Sequence, residues 1–97
     1  MYVILASRDG HFRTEAAEGV EPVETYDYLF YGRKIARYVI AKMERGVKVR
    51  IVDESGSSAV NLVPSKFLPQ FDTLEGARQE IHSLAKFGTM DIALVKV

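Results

Sequence analysis

Apolar and polar positions alternate in short runs along most of this chain, with one clear stretch of helical spacing near its end. Tyr2 to Ser7 reads as a strand. Asp9-Gly10 tolerates the positive φ angles of a tight hairpin turn, so His11 to Thr14 is expected to pair back as a short second strand. From Glu15 to Glu24 the chain carries Gly19 and Pro22 and shows neither period, which predicts a polar loop. Tyr26 to Tyr31 is the densest aromatic stretch and, if extended, places Tyr26, Tyr28 and Phe30 on one face. Beyond Gly32, the positions Ile35, Ala36, Val39, Ile40 and Met43 form a single stripe of an α-helix over 33–45, with Gly46 placed as its C-terminal cap. The competing reading is a hairpin turning at Gly32-Arg33, with Lys34 to Ala41 as a strand. It would set Arg37 between Ile35 and Val39 on one face, and the helix is preferred for that reason.

Val47, Val49 and Ile51 alternate with Lys48 and Arg50, the pattern of a half-buried strand over Val47 to Asp53. A turn from Glu54 to Ser57 leads into a returning strand from Ala59 to Val63. Pro64 and Pro69 bracket a connector. Asp72 to Glu75 has the spacing of a capping box with Asp72 as the cap, and Leu74, Ala77, Ile81, Leu84 and Ala85 are the stripe of a helix over 73–87 that Gly88 ends. Asp91 to Val97 is mostly apolar, which suggests a strand at the centre of a sheet rather than at its edge.

The order strand, helix, strand, strand, helix, strand resembles that of the ferredoxin-like split βαβ fold, an antiparallel sheet with two helices on one face. The resemblance lies in element order and in no motif. With the first helix read as strand, the same chain becomes an antiparallel sheet with a single C-terminal helix. Both are α+β, and residues 1–97 are expected to form a single domain.

Composition narrows the function classes. The 97 residues, 47% hydrophobic and 27% charged, are ordinary globular proportions. The absence of cysteine excludes disulfides, a thiolate nucleophile, a zinc ribbon and an iron–sulfur cluster. The opening apolar run is too short for a signal peptide or a membrane span, so a soluble, cytoplasmic domain with no membrane partner is expected. Thirteen basic and thirteen acidic residues cancel, which argues against non-specific binding of nucleic acid. Their distribution is uneven. Glu15, Glu18, Glu21, Glu24 and Asp27 give Thr14 to Asp27 a charge of −5, whereas Arg33 to Arg50 carries +6.

Candidate chemistry is sparse. His11 and His82 are the two histidines, one after a turn and one on the polar side of a helix, and neither is accompanied by metal-ligand spacing. The glycines are dispersed, so neither a Walker loop nor a dinucleotide fingerprint is present. No catalytic, cofactor-binding or metal residue is assigned, and no cofactor is expected. What remains is an interaction surface. Tyr26, Tyr28 and Tyr31 offer apolar area with hydroxyls that can stay wet and Phe30 adds apolar area, although a core with a tyrosine rim would also use them. Arg33, Lys34 and Arg37 supply positive charge, and Glu18, Glu21 and Glu24 negative charge. The expected function is a non-catalytic protein-interaction or self-associating accessory domain, with a second copy of the chain as the expected partner. One alternative is a cofactor-independent enzyme or ligand-binding domain with a pocket at a dimer interface. Another is an RNA-binding module, disfavoured because Val47 to Asp53 and Asp91 to Val97 lack aromatic residues for base stacking. The acidic and basic segments are expected to meet, within one chain or across a dimer.

Overall fold

A computed structural model of the chain describes residues 1–15, 17–44, 47–86 and 90–97. In order, these form β1 (Tyr2–Arg8), β2 (Phe12–Glu15), β3 (Val20–Phe30), β4 (Arg33–Met43), β5 (Lys48–Asp53), β6 (Val60–Pro64), a 3-10 turn (Ser65–Phe67), β7 (Gln70–Phe71), α1 (Leu74–Ser83) and β8 (Ile92–Lys96). The strands make one antiparallel sheet in the order β6-β5-β2-β1-β4-β3-β8, with β7 pairing β1 off that path. This is the antiparallel sheet with a single C-terminal helix. The ferredoxin-like order with two helices is overturned, because Arg33–Met43 is a strand paired along its length with β3 and with β1. Among the described residues no helix is long and apolar enough to cross a membrane.

β1 explains the architecture. Its run YVILA is apolar on both faces, so both must be covered. On one face Val3 and Leu5 pack with Val20, Ala41, Met43 and Val49, which the β5–β6 hairpin brings over the sheet together with Val63. On the other face Ile4 packs with Tyr26 and Ile40 beneath Ala77 and Ile81 of α1. Val3, Ile40, Ala41, Val49, Ala77 and Ile81 are wholly buried.

The same two-sided burial makes β4 resemble a helix in sequence. Val39, Ala41 and Met43 serve the hairpin-covered face while Tyr38 and Ile40 serve the helix-covered one, so apolar residues run consecutively instead of alternating. A shift in register between Tyr28 and Leu29 then leaves Ile35 without a partner on β3 and changes the phase of the strand. The hairpin turns at Tyr31 and Gly32, whose φ angles of 50° and 77° are the positive pair that a two-residue turn requires. Arg37, the residue that spoke against a strand, lies opposite Asp27 in the β3–β4 ladder, and its guanidinium Nε donates to Asp27 Oδ1 at 2.8 Å.

Three further expectations are corrected. Of the polar loop expected over Glu15 to Glu24, Glu15 belongs to β2 and Val20 to Glu24 to β3. Pro22 is tolerated because the extra residue Val23 interrupts the ladder beside it and β8 does not reach that far, so the missing N–H falls on a locally outermost strand. The cap of α1 is Thr73 and not Asp72, since the Thr73 hydroxyl accepts from the Gly76 N–H at 3.0 Å and Asp72 stays outside the helix. β8 is an edge strand and not a central one, paired with β3 alone. The expected terminating glycines, Gly46 and Gly88, lie outside the described residues.

Candidate interaction surface

The β3–β4 hairpin sorts the aromatic segment by depth. Tyr26 is buried under α1, with its ring edge-on to His82 at 6.0 Å and its hydroxyl donating to Glu24 Oε1 at 3.3 Å. Tyr28 is half-buried and meets Tyr38 edge-to-face at 5.9 Å. Phe30 and Tyr31 reach the tip, 37% and 62% exposed, and stack edge-to-face on one another at 4.7 Å. Tyr26 and Tyr28 therefore belong to the core and its rim, and Phe30 with Tyr31 remains as surface. Tyr31 holds a left-handed backbone at φ 50°, an unusual conformation for a bulky side chain.

The charged segments meet inside the chain, through the pairing of β3 with β4. Glu21 lies opposite Lys42 and Asp27 opposite Arg37, so an acidic strand has been laid antiparallel to a basic one. Lys34 adds a second cation 4.0 Å from Asp27, and Glu15 reaches Arg50 at 3.8 Å across β2 and β5. The Arg37 hydrogen bond holds the Asp27 carboxyl below its ordinary range, against the opposing pull of burial. Arg33 is exposed at the tip, and Glu18 and Glu21 are exposed near the far end of the hairpin. Arg33, opposite Phe30, belongs to the aromatic tip, whereas Glu18 and Glu21 do not form one patch with it.

Glu24 does something different. It is 8% exposed and takes Arg78 Nε at 2.6 Å and Nη2 at 2.9 Å from α1, and Lys96 Nζ at 2.8 Å from β8. Hydrogen bonds from Arg78, then from Lys96, hold its carboxyl down at about 2 from an ordinary 4.5, although desolvation opposes them. One carboxylate thus ties three elements together and is spent as an internal clamp. Neither Arg78 nor Lys96 was singled out from the sequence, because both lie far from Glu24 along the chain.

The edge of β8 is open. Val97 N–H donates to Thr25 O at 2.9 Å and Asp91 O accepts from Tyr31 N–H at 2.8 Å, so the odd-numbered residues of this strand point their backbone groups at β3. The N–H and C=O groups of Ile92, Leu94 and Lys96 consequently face outward, and no strand among the described residues pairs with them. Ala93, Val95 and Val97 are exposed beside this edge, and Ile92 lies opposite Phe30, so the edge runs on into the aromatic tip. The other edge, β6, is blunted: by the same parity, set by Asp53 N–H to Ala59 O and Ser65 N–H to Val47 O, the outward residues are Val60, Leu62 and Pro64, and proline brings no N–H. No protein-family model, curated protein or solved structure matches this chain.

Proposed function

We propose that the chain is a non-catalytic protein-interaction domain that binds by adding a strand to β8, with a second copy of itself as the partner. The observation that supports this reading is the unpaired edge of β8, bordered by Ala93, Val95 and Val97 and lacking the proline that blunts β6. Two-fold antiparallel pairing centred on Leu94 sets Ala93 against the partner's Val95 and keeps the two Lys96 ammonium groups apart, each facing Ile92. The edge is therefore complementary to itself, as a closed two-fold interface must be. Phe30 and Tyr31 lie at the Ile92 end of the strand and extend the apolar contact.

The test is the mass in solution by light scattering. Wild type is expected as a dimer, and Ala93→Lys with Val95→Lys as a monomer with an unchanged circular dichroism spectrum, because both side chains are exposed and each lysine would meet its counterpart across the two-fold. A wild type that stays monomeric at roughly 100 μM, far above the micromolar range of weak association, would refute self-pairing. A dimer that survives both lysines would move the interface elsewhere.

A further inference from the structure

We infer that the end of the hairpin-covered core is a binding site for a small amphipathic carboxylate, an apolar chain ending in an anionic head. A cavity of about 490 Å³ opens there between β4, β5 and the 3-10 turn, within the size range of small-molecule sites, roughly 300–1,000 Å³. Its apolar wall includes Met43, Val47 and Pro64 and continues directly from the Val3, Leu5, Ala41 and Val49 core. A hydrocarbon chain placed there leaves water for a surface already built of aliphatic groups.

The charged side chains at the same opening carry a single sign. Lys48 and Lys66 both line it, no carboxylate does, and neither lysine forms an ion pair among the described residues. Lys66 is held over the Phe67 ring at 5.3 Å, which leaves its ammonium hydrogens available to an anion. Ser65, between wall and rim, is 4% exposed and has its backbone fully used: its N–H donates to Val47 O, and its carbonyl accepts from Leu68 N–H and Gln70 Nε2. An apolar slot with two cations at its mouth fits an aliphatic acid better than a neutral or cationic molecule of the same length.

The experiment uses the full chain with decanoate, decanol and decylammonium below their micellar concentrations, followed by calorimetry and by methyl NMR of Met43 and Val47. Decanoate is expected to saturate one site and shift both methyl resonances, with decanol at least tenfold weaker and decylammonium not binding. Lys48→Gln with Lys66→Gln should weaken decanoate tenfold or more while leaving decanol unchanged. Equal affinity for all three amphiphiles, unshifted Met43 and Val47 methyls, or an undiminished response in the double lysine variant would each overturn the site. Binding of anionic vesicles without any response to free decanoate would also overturn it, since a charged surface patch and not a chain-holding cavity would then be at work. The site is separate from β8, so its loss leaves the dimer test unaffected.

Discussion

The two faces of the sheet are closed by different means. Under the β5–β6 hairpin the core is aliphatic, with Val3, Leu5, Val20, Ala41, Met43 and Val49 and no buried charge. Under α1 the core mixes Ile4, Ile40, Ala77 and Ile81 with Tyr26, and Glu24 is buried beside it in ionic contact with Arg78 and Lys96. The difference follows from how each lid is attached. The hairpin is continuous with the sheet through β2, so backbone hydrogen bonds hold it in place. A ten-residue helix has no such ladder and is too short to be stable alone. It depends on the apolar contacts of Leu74, Ala77 and Ile81 and on the Arg78 clamp to Glu24. The aliphatic core should therefore be indifferent to pH, the acid response of its lid being confined to Asp53 at the end of β5, whereas the helical lid is sensitive to it through its clamp.

The largest effects expected are from core truncations, one on each face. Ile81→Ala removes three buried carbons from the smaller lid and should cost about 2–5 kcal/mol in denaturant unfolding. Val49→Ala removes two on the hairpin face and should cost less, about 1.5–3 kcal/mol. Amide exchange sharpens the contrast: Ile81→Ala should accelerate exchange in α1 before the β1–β4 ladder, whereas Val49→Ala should loosen β5 and β6 first. Uniform acceleration in both variants would mean that the lids do not open independently.

Acid should separate the faces next. The Glu24 carboxyl is lowered on folding, so its contribution is complete above the ordinary value of 4.5 and is lost as pH falls toward about 2. Asp27, lowered by Arg37, and Asp53, held at about 2 by the hydroxyls of Ser55 and Ser57 and the Ser55 N–H, titrate in the same direction. Glu24→Gln should therefore flatten only part of the acid dependence, while costing about 1.5–3 kcal/mol near neutral pH for the charge-assisted bonds it weakens. Exchange in α1 is expected to rise in wild type between pH 4.5 and 2 and to be already high in Glu24→Gln. A wild-type helix as protected at pH 2.5 as at pH 6 would detach Glu24 from the lid.

The same contrast decides what could be read from the residues. The β5–β6 hairpin and α1 were legible because each shows one period against one core, and β1 because a short apolar run that stops before the Asp9-Gly10 turn reads as a strand. β3 and β4 were not: burial on both faces removed the alternation, Ile35, without a partner on β3, shifted the phase, and Pro22 spoke for a loop at a site where an extra residue accommodates it. The exposed Phe30 and Tyr31 could be chosen from composition, but Tyr26 and Glu24 looked like surface and are interior. The openness of β8 had no local signal, since IALVK reads alike at the centre and at the edge of a sheet. What the charge pattern did carry was pairing. An acidic stretch followed by a basic one, joined by a turn, is what an antiparallel hairpin with cross-strand ion pairs looks like along the chain.

That pairing leads to the smallest effect, on the strand where the two faces meet. Arg37 stands on the hairpin-covered side of β4, in line with Val39 and Ala41 but beyond the reach of the lid. Its side chain is 41% exposed and that of Asp27 opposite is 20% exposed. A pair so open to water is screened, and cross-strand or surface pairs of this kind contribute about 0.2–1 kcal/mol. In a double-mutant cycle of Asp27→Asn and Arg37→Gln, the coupling energy should fall in that range and shrink in 1 M salt, where the screening length is about 3 Å. Arg37→Val should be tolerated in 150 mM salt, because it continues the Val39 and Ala41 face while leaving Asp27 its neighbour Lys34 at 4.0 Å. A coupling above about 2 kcal/mol would place the pair with Glu24 among the buried clamps. Unfolding by Arg37→Val would show that this charge sets the register of the hairpin and does not merely decorate it.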